Sequence, residues 1–96
     1  MARPALSETM HRAIGFAAAH GGTLHRQPGG FWSPRAGKHL GYYGTSTIEA
    51  LVKRGLAEYT VWREGRNGRF PVEMRLTDEG QRIARERRDG VGERRA

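Results

Sequence analysis

From Ser46 to Gly80 the residues spell out one unbroken order of elements, and no other stretch constrains the fold as tightly. Ser46 and Glu49 have the S-x-x-E spacing of a capping box, in which hydroxyl and carboxylate each reach the other residue's unpaired backbone amide. The pattern predicts a helix over 46–54, with Ile48, Leu51 and Val52 on its inner face and Thr47, Ala50, Lys53 and Arg54 toward solvent. Gly55 supplies the C-terminal stop, and Leu56 begins a strand. Asn67-Gly68 reads as the two-residue turn of a hairpin over 56–76. That register pairs Arg66 with Arg69, Val61 with Met74 and Tyr59 with Leu76. Tyr59, Val61, Val72, Met74 and Leu76 then face inward, with Thr60, Trp62, Glu73 and Arg75 opposite, and Pro71 requires an outer edge. Leu76-Thr77-Asp78-Glu79-Gly80 opens a last helix, 78–89, capped by Thr77 with two acids at its positive end.

The front half has weaker signals. Ser7 caps a helix over 7–20, where Leu6, Met10, Ala13, Ile14 and Ala17 recur at helical spacing until His20-Gly21-Gly22. Thr23–Arg26, Pro28-Gly29-Gly30 and Phe31–Ser33 read as a hairpin over 23–33. Arg35–Gly44, with glycines at 37, 41 and 44, is expected to be a loop, and 90–96 a disordered tail. At 96 residues there is room for one domain, 1–96, burying roughly 60–65% of the unfolded chain's surface. With no cysteine, disulfide staples and thiolate metal sites are excluded, so packing must hold the fold. Mean hydropathy is −0.74, and neither a membrane span nor a signal peptide is apparent. A cytoplasmic protein is expected.

Leu51-Val52-Lys53-Arg54-Gly55-Leu56-Ala57-Glu58, an arginine-rich hairpin and Leu76-Thr77-Asp78-Glu79-Gly80 resemble the recognition helix, wing and following helix of MarR-type winged-helix regulators. The resemblance implies an α+β fold: a small winged helix of about three helices with two β-hairpins. Carried over by position, it directs Thr45, Ser46, Thr47, Ala50, Lys53 and Arg54 to a DNA major groove, and Arg63, Arg66, Asn67 and Arg69 to the backbone or minor groove. Two features depart from the pattern. The Gly-rich stretch stands where a bracing second helix belongs, and the front hairpin replaces a single short strand. Small bacterial and phage winged-helix proteins with altered front halves include some that act on protein partners, anti-CRISPR inhibitors among them.

Formal charge is +7 at pH 7, and every basic residue except Lys38 and Lys53 is arginine, the side chain that grips phosphate bidentately and stacks on bases. High genomic GC content would also enrich arginine. Position carries more weight than number: Arg63, Arg66 and Arg69 recur every third residue around the hairpin turn, where they can displace counterions from a polyanion. The leading expectation is a DNA-binding transcriptional regulator acting on duplex DNA, as a monomer or weak homodimer. The alternative is a phage or mobile-element protein that blocks a host protein complex through Trp32, Tyr42, Tyr43, Trp62 and Arg75. Catalysis has little support. His11, His20, His25 and His39 lack metal-ligand spacing, and the Gly-Gly pairs lack a phosphate-loop lysine. No enzyme activity, cofactor or metal is expected.

Overall fold

The computed structural model describes residues 6–34 and 43–95, with side chains as far as residue 87. The elements run α1 (Glu8–Ala19), β1 (Thr23–Gln27), β2 (Phe31–Ser33), β3 (Tyr43–Gly44), α2 (Thr45–Lys53), β4 (Ala57–Gly65), β5 (Gly68–Leu76) and α3 (Asp78–Arg95). The expected loop from 35 and Tyr42 fall largely or wholly outside the described residues.

Ser7 caps α1 by accepting a hydrogen bond from the Met10 amide at 3.1 Å. The helix buries Met10, Ala13, Ile14 and Ala17, the i, i+3, i+4, i+7 stripe of one face. It ends where Gly22 donates to the Ala17 carbonyl at 2.7 Å, a closure that uses the positive φ of Gly21 and Gly22.

The expected small winged helix of about three helices with two β-hairpins is not the fold that forms. The strands among the described residues join one antiparallel five-stranded sheet in the order β3-β2-β1-β5-β4. The joint is between β1 and β5: Leu24 lies opposite Met74, and both are fully buried, so pairing the hairpins places two apolar side chains in one core. β2 returns along β1 with Trp32 opposite Arg26, and Tyr43 then pairs with Trp32 to add the edge strand β3. The helices cover one face of the sheet, over Leu24, Trp32, Ala57, Met74 and Leu76.

α2 begins differently from the capping-box expectation. Its N-cap is Gly44, without a side-chain cap, and Ser46 and Glu49 lie inside the helix. Thr45 fixes the start instead. Its Oγ1 donates to the Gly30 carbonyl at 2.9 Å and accepts from Trp32 Nε1 at 3.2 Å, tying the first helical residue to the β1–β2 turn and the largest core side chain. The C-terminus behaves as read: Gly55 has φ 76°, its amide donates to Val52, and the Leu56 amide donates to Leu51, the two-bond closure of a Schellman motif.

The β4–β5 hairpin also differs in register. Gly65 pairs with Gly68, Tyr59 with Met74 and Ala57 with Leu76, so Arg66-Asn67 forms the turn, two residues from the expected pairing. Because side chains alternate with period two, that shift keeps Tyr59, Met74 and Leu76 inward. Two bulges then re-aim the distal half. Thr60 is extra on β4 and Val72 on β5, leaving Val61 opposite Glu73 and Trp62 opposite Pro71. Trp62 consequently packs on the Tyr59 side, while Val61 is 42% exposed, the reverse of the assignment from simple alternation.

α3 starts where expected, with Thr77 Oγ1 accepting from the Gly80 amide at 3.2 Å. It continues to Arg95, through most of the segment expected to be a tail.

Candidate nucleic-acid interface

Beyond the bulges the hairpin leaves the core as a two-stranded ribbon, and residues 61–69 are all exposed. Arg63, Arg66, Asn67 and Arg69 therefore share one projecting structure. On one side the rings form a line outward from the core: buried Trp32, then Tyr59 at 6.0 Å between centroids, then Trp62 edge-on to Tyr59 at 5.5 Å. Arg69 completes it, its guanidinium 5.5 Å from the Trp62 centroid, within reach of a cation–π attraction. Burial raises the Tyr59 pKa above its ordinary value; the Glu49 carboxylate adds to the rise and Arg26 opposes it. Tyr59 is thus a neutral spacer holding Trp62 in place.

A fourth arginine joins the ribbon from β1. Arg26 lies 5.1 Å from the Phe70 centroid and, with Gly65, Arg66 and Arg69, borders a hollow at the turn. Arg63 and Phe70 also border a larger groove of about 680 Å3 along the sheet, shared with His25, Gln27, Val61 and Val72. Within it Glu73 is held by Thr60, whose hydroxyl donates at 2.6 Å, and by His25 Nδ1 at 3.4 Å.

The carboxylates pair with some of the described arginines and not with others. In the helices Glu8 meets Arg12 at 3.2 Å and Arg87 at 2.6 Å, and Arg82 pairs with both Glu79 and Glu86. The Arg87 hydrogen bond is the largest influence holding the Glu8 carboxyl below its usual range. Among the described residues none of Arg26, Arg63, Arg66 and Arg69 belongs to an ion pair. Four guanidiniums clustered without ion-pair partners among the described residues leave positive potential at this end of the sheet.

The other expected residues do not converge on it. Thr45 is spent on Gly30 and Trp32. Ser46 is exposed and Thr47 half-buried near the start of α2. Lys53 and Arg54 border a different hollow with Leu56, Ile83, Arg82 and Arg87 of the helical layer. The expected protein-partner set is broken up as well: Trp32 is fully buried, Tyr43 is half-buried against Phe16 at 5.6 Å, and Arg75 lies exposed at the base of the sheet beside Glu58 and Thr23. Sequence reasoning missed Arg26, Phe70 and Val61. Their position depends on β1–β5 pairing and on the bulges, for which the local pattern gives no signal.

No protein-family model, curated protein or solved structure matches the chain. Among the described residues no three His, Asp or Glu side chains gather as a metal site, and no helix is long and apolar enough to cross a membrane.

Proposed function

We propose that this chain is a nucleic-acid-binding protein that presents the β4–β5 ribbon to a phosphate backbone. The observation behind this reading is the cluster of Arg26, Arg63, Arg66 and Arg69, exposed or half-exposed and without ion-pair partners among the described residues, while Arg12, Arg82 and Arg87 of the helices are matched to glutamates. An arginine that gives up no carboxylate on binding keeps the full gain from counterion release. Trp62, 44% exposed beneath Arg69, adds an aromatic face beside the charges, the pairing that lets a ribbon grip backbone and base together.

Fluorescence anisotropy with a labelled oligonucleotide at a series of salt concentrations tests the reading. Each phosphate contact contributes roughly 0.7–0.9 to the slope of log affinity against log salt. Replacing Arg63, Arg66 and Arg69 together with alanine is expected to lower that slope by about 2 and to weaken binding at low salt. All three side chains are exposed, so the fold should persist. Equally weak, salt-independent binding by the parent and the triple variant would refute the proposal.

A further inference from the structure

The sheet has a second face, opposite the helices, and its chemistry differs from that of the ribbon tip. Side chains alternate across a strand, so with Leu24, Trp32 and Met74 buried beneath the helices, His25, Phe31 and Glu73 lie on the other side. The 680 Å3 groove is on this face. Val61, 42% exposed, and Val72 supply apolar surface, and Arg63 and Phe70 stand toward the ribbon. Phe31, also 42% exposed, lies beside the groove next to two residues that line it: it pairs with Gln27, and its ring packs so close to Gly29 that a Cβ there would meet Phe31 Cε2 at 3.1 Å.

We infer that this groove takes unpaired bases, so that the nucleic acid bound is single-stranded. The inference rests on the ribbon reading for the backbone contacts and adds the strandedness. Three observations lead to it. The groove volume falls in the roughly 300–1,000 Å3 range that accepts small ring systems and is far too small for a duplex. Two exposed apolar groups, Val61 in the groove and Phe31 beside it, gain from contact with a base face, and those faces are hidden in a duplex. The charge is also graded. Glu73 lies within the groove, oriented by Thr60 and His25, while Arg63 and Arg26 lie along the ribbon side. A carboxylate repels phosphate but accepts hydrogen bonds from exocyclic amino groups, so this arrangement places bases inside and backbone along the arginines.

The test compares a labelled mixed-sequence 15-nucleotide single strand with its duplex, by anisotropy at several salt concentrations, for the full chain and its Phe31→Ala, Phe31→Tyr and Glu73→Gln variants. Circular dichroism checks the fold of each. The single strand is expected to bind at least tenfold more tightly than the duplex. Phe31→Ala should weaken the single strand about tenfold with little effect on the duplex, and Phe31→Tyr, which keeps the ring, should stay near the parent. Glu73→Gln should alter preference among homopolymers of different bases more than the salt slope. Salt-dependent binding that favours the duplex, or that ignores Phe31→Ala in a folded protein, would overturn the groove inference and leave the ribbon reading standing. Absence of salt-dependent binding to either strand would overturn both.

Discussion

Gly80→Ala is the sharpest test of how the two halves of the chain lock together. Gly80 is buried in the first turn of α3, where a Cβ would lie 2.1 Å from the Leu56 carbonyl oxygen and 3.2 Å from its carbon. The obstacle is backbone, so no side-chain rotation relieves it. Two hydrogen bonds depend on the same approach: the Thr77 amide donates to Leu56 at 3.1 Å, and Thr77 Oγ1 donates to Gly55 at 2.7 Å. Overpacking of this kind costs about 1–3 kcal/mol. Weakening the two bonds adds about 1–2 kcal/mol, against a helix-propensity gain of about 1 kcal/mol for alanine over glycine. The net expectation is a loss of about 2–3 kcal/mol, which in a domain this size lowers Tm by roughly 10–20 °C. Gly15→Ala is the matched control. Gly15 is exposed within α1 with nothing within 4 Å of the added atom, so the same substitution should stabilise by about 0.5–1 kcal/mol. Urea unfolding followed by circular dichroism reads both. A neutral or stabilising Gly80→Ala, or shifts of the same sign for the two variants, would refute the close-approach reasoning.

Other substitutions probe the helix starts. Thr45→Val removes the acceptor of Trp32 Nε1 and the donor to Gly30, and is expected to cost about 1–3 kcal/mol in urea unfolding; an isoenergetic variant would contradict the role assigned to that hydroxyl. Ser7→Ala should cost about 1 kcal/mol because it removes a formed cap, whereas Ser46→Ala, inside α2, should stay within about 0.5 kcal/mol. If the Ser46 effect matched that of Ser7, the capping box would have to be reinstated. Tyr59 provides a pH test. Its folded pKa is raised by burial above the ordinary 10.0, so the folded state holds the phenolic proton more tightly than the unfolded chain. That contribution to stability is complete below about pH 10 and is lost as pH rises through the folded pKa. Absorbance titration of tyrosinate, differenced against Tyr59→Phe, should place this residue's ionisation above 10; a value at or below 10 would contradict its burial.

The parts of the fold legible in the sequence are those fixed by neighbours in the chain. Ser7, Gly55 and Thr77 act on amides or carbonyls no more than a turn away, and each terminates or starts a helix as its residue type requires. Gly80 is instructive in another way. The recurring R-G-L and L-T-x-x-G patterns could be recognised in the sequence, but their connection could not: Thr77 bonds to Gly55 and Leu56, and Gly80 needs room for the Leu56 carbonyl, so one motif is the seat of the other. Pairings between distant segments were not legible. Asn67-Gly68 is a sound local turn signal, yet Gly68 takes the position after the turn, at φ 109°, paired with Gly65, where Phe70 packs so closely that a Cβ at Gly65 would lie 2.8 Å from its ring. The bulges at Thr60 and Val72 then reverse the assignments of Val61 and Trp62. An alternation rule has no means of locating an inserted residue.

This has a direct bearing on the site, because composition treats all the arginines alike and the fold does not. Arg12, Arg82 and Arg87 lie on helices at spacings, or across an α1–α3 contact, that bring glutamate within reach; each such exposed pair is worth about 0–1 kcal/mol and leaves little net field. Arg63, Arg66 and Arg69 lie on a ribbon whose acidic members are Glu64 near the tip and Glu73 below the bulges, and Glu73 is already held by Thr60 and His25. With Glu73 so held and only Glu64, opposite Arg69, among them, the ribbon's arginines outnumber its free carboxylates, and positive potential gathers where the described chain projects from the core. A genomic bias toward arginine would bear only on how many there are. It does not explain why Arg12, Arg82 and Arg87 are neutralised while the ribbon's arginines lie beside Trp62 and Phe70, and that asymmetry is what a polyanion would recognise.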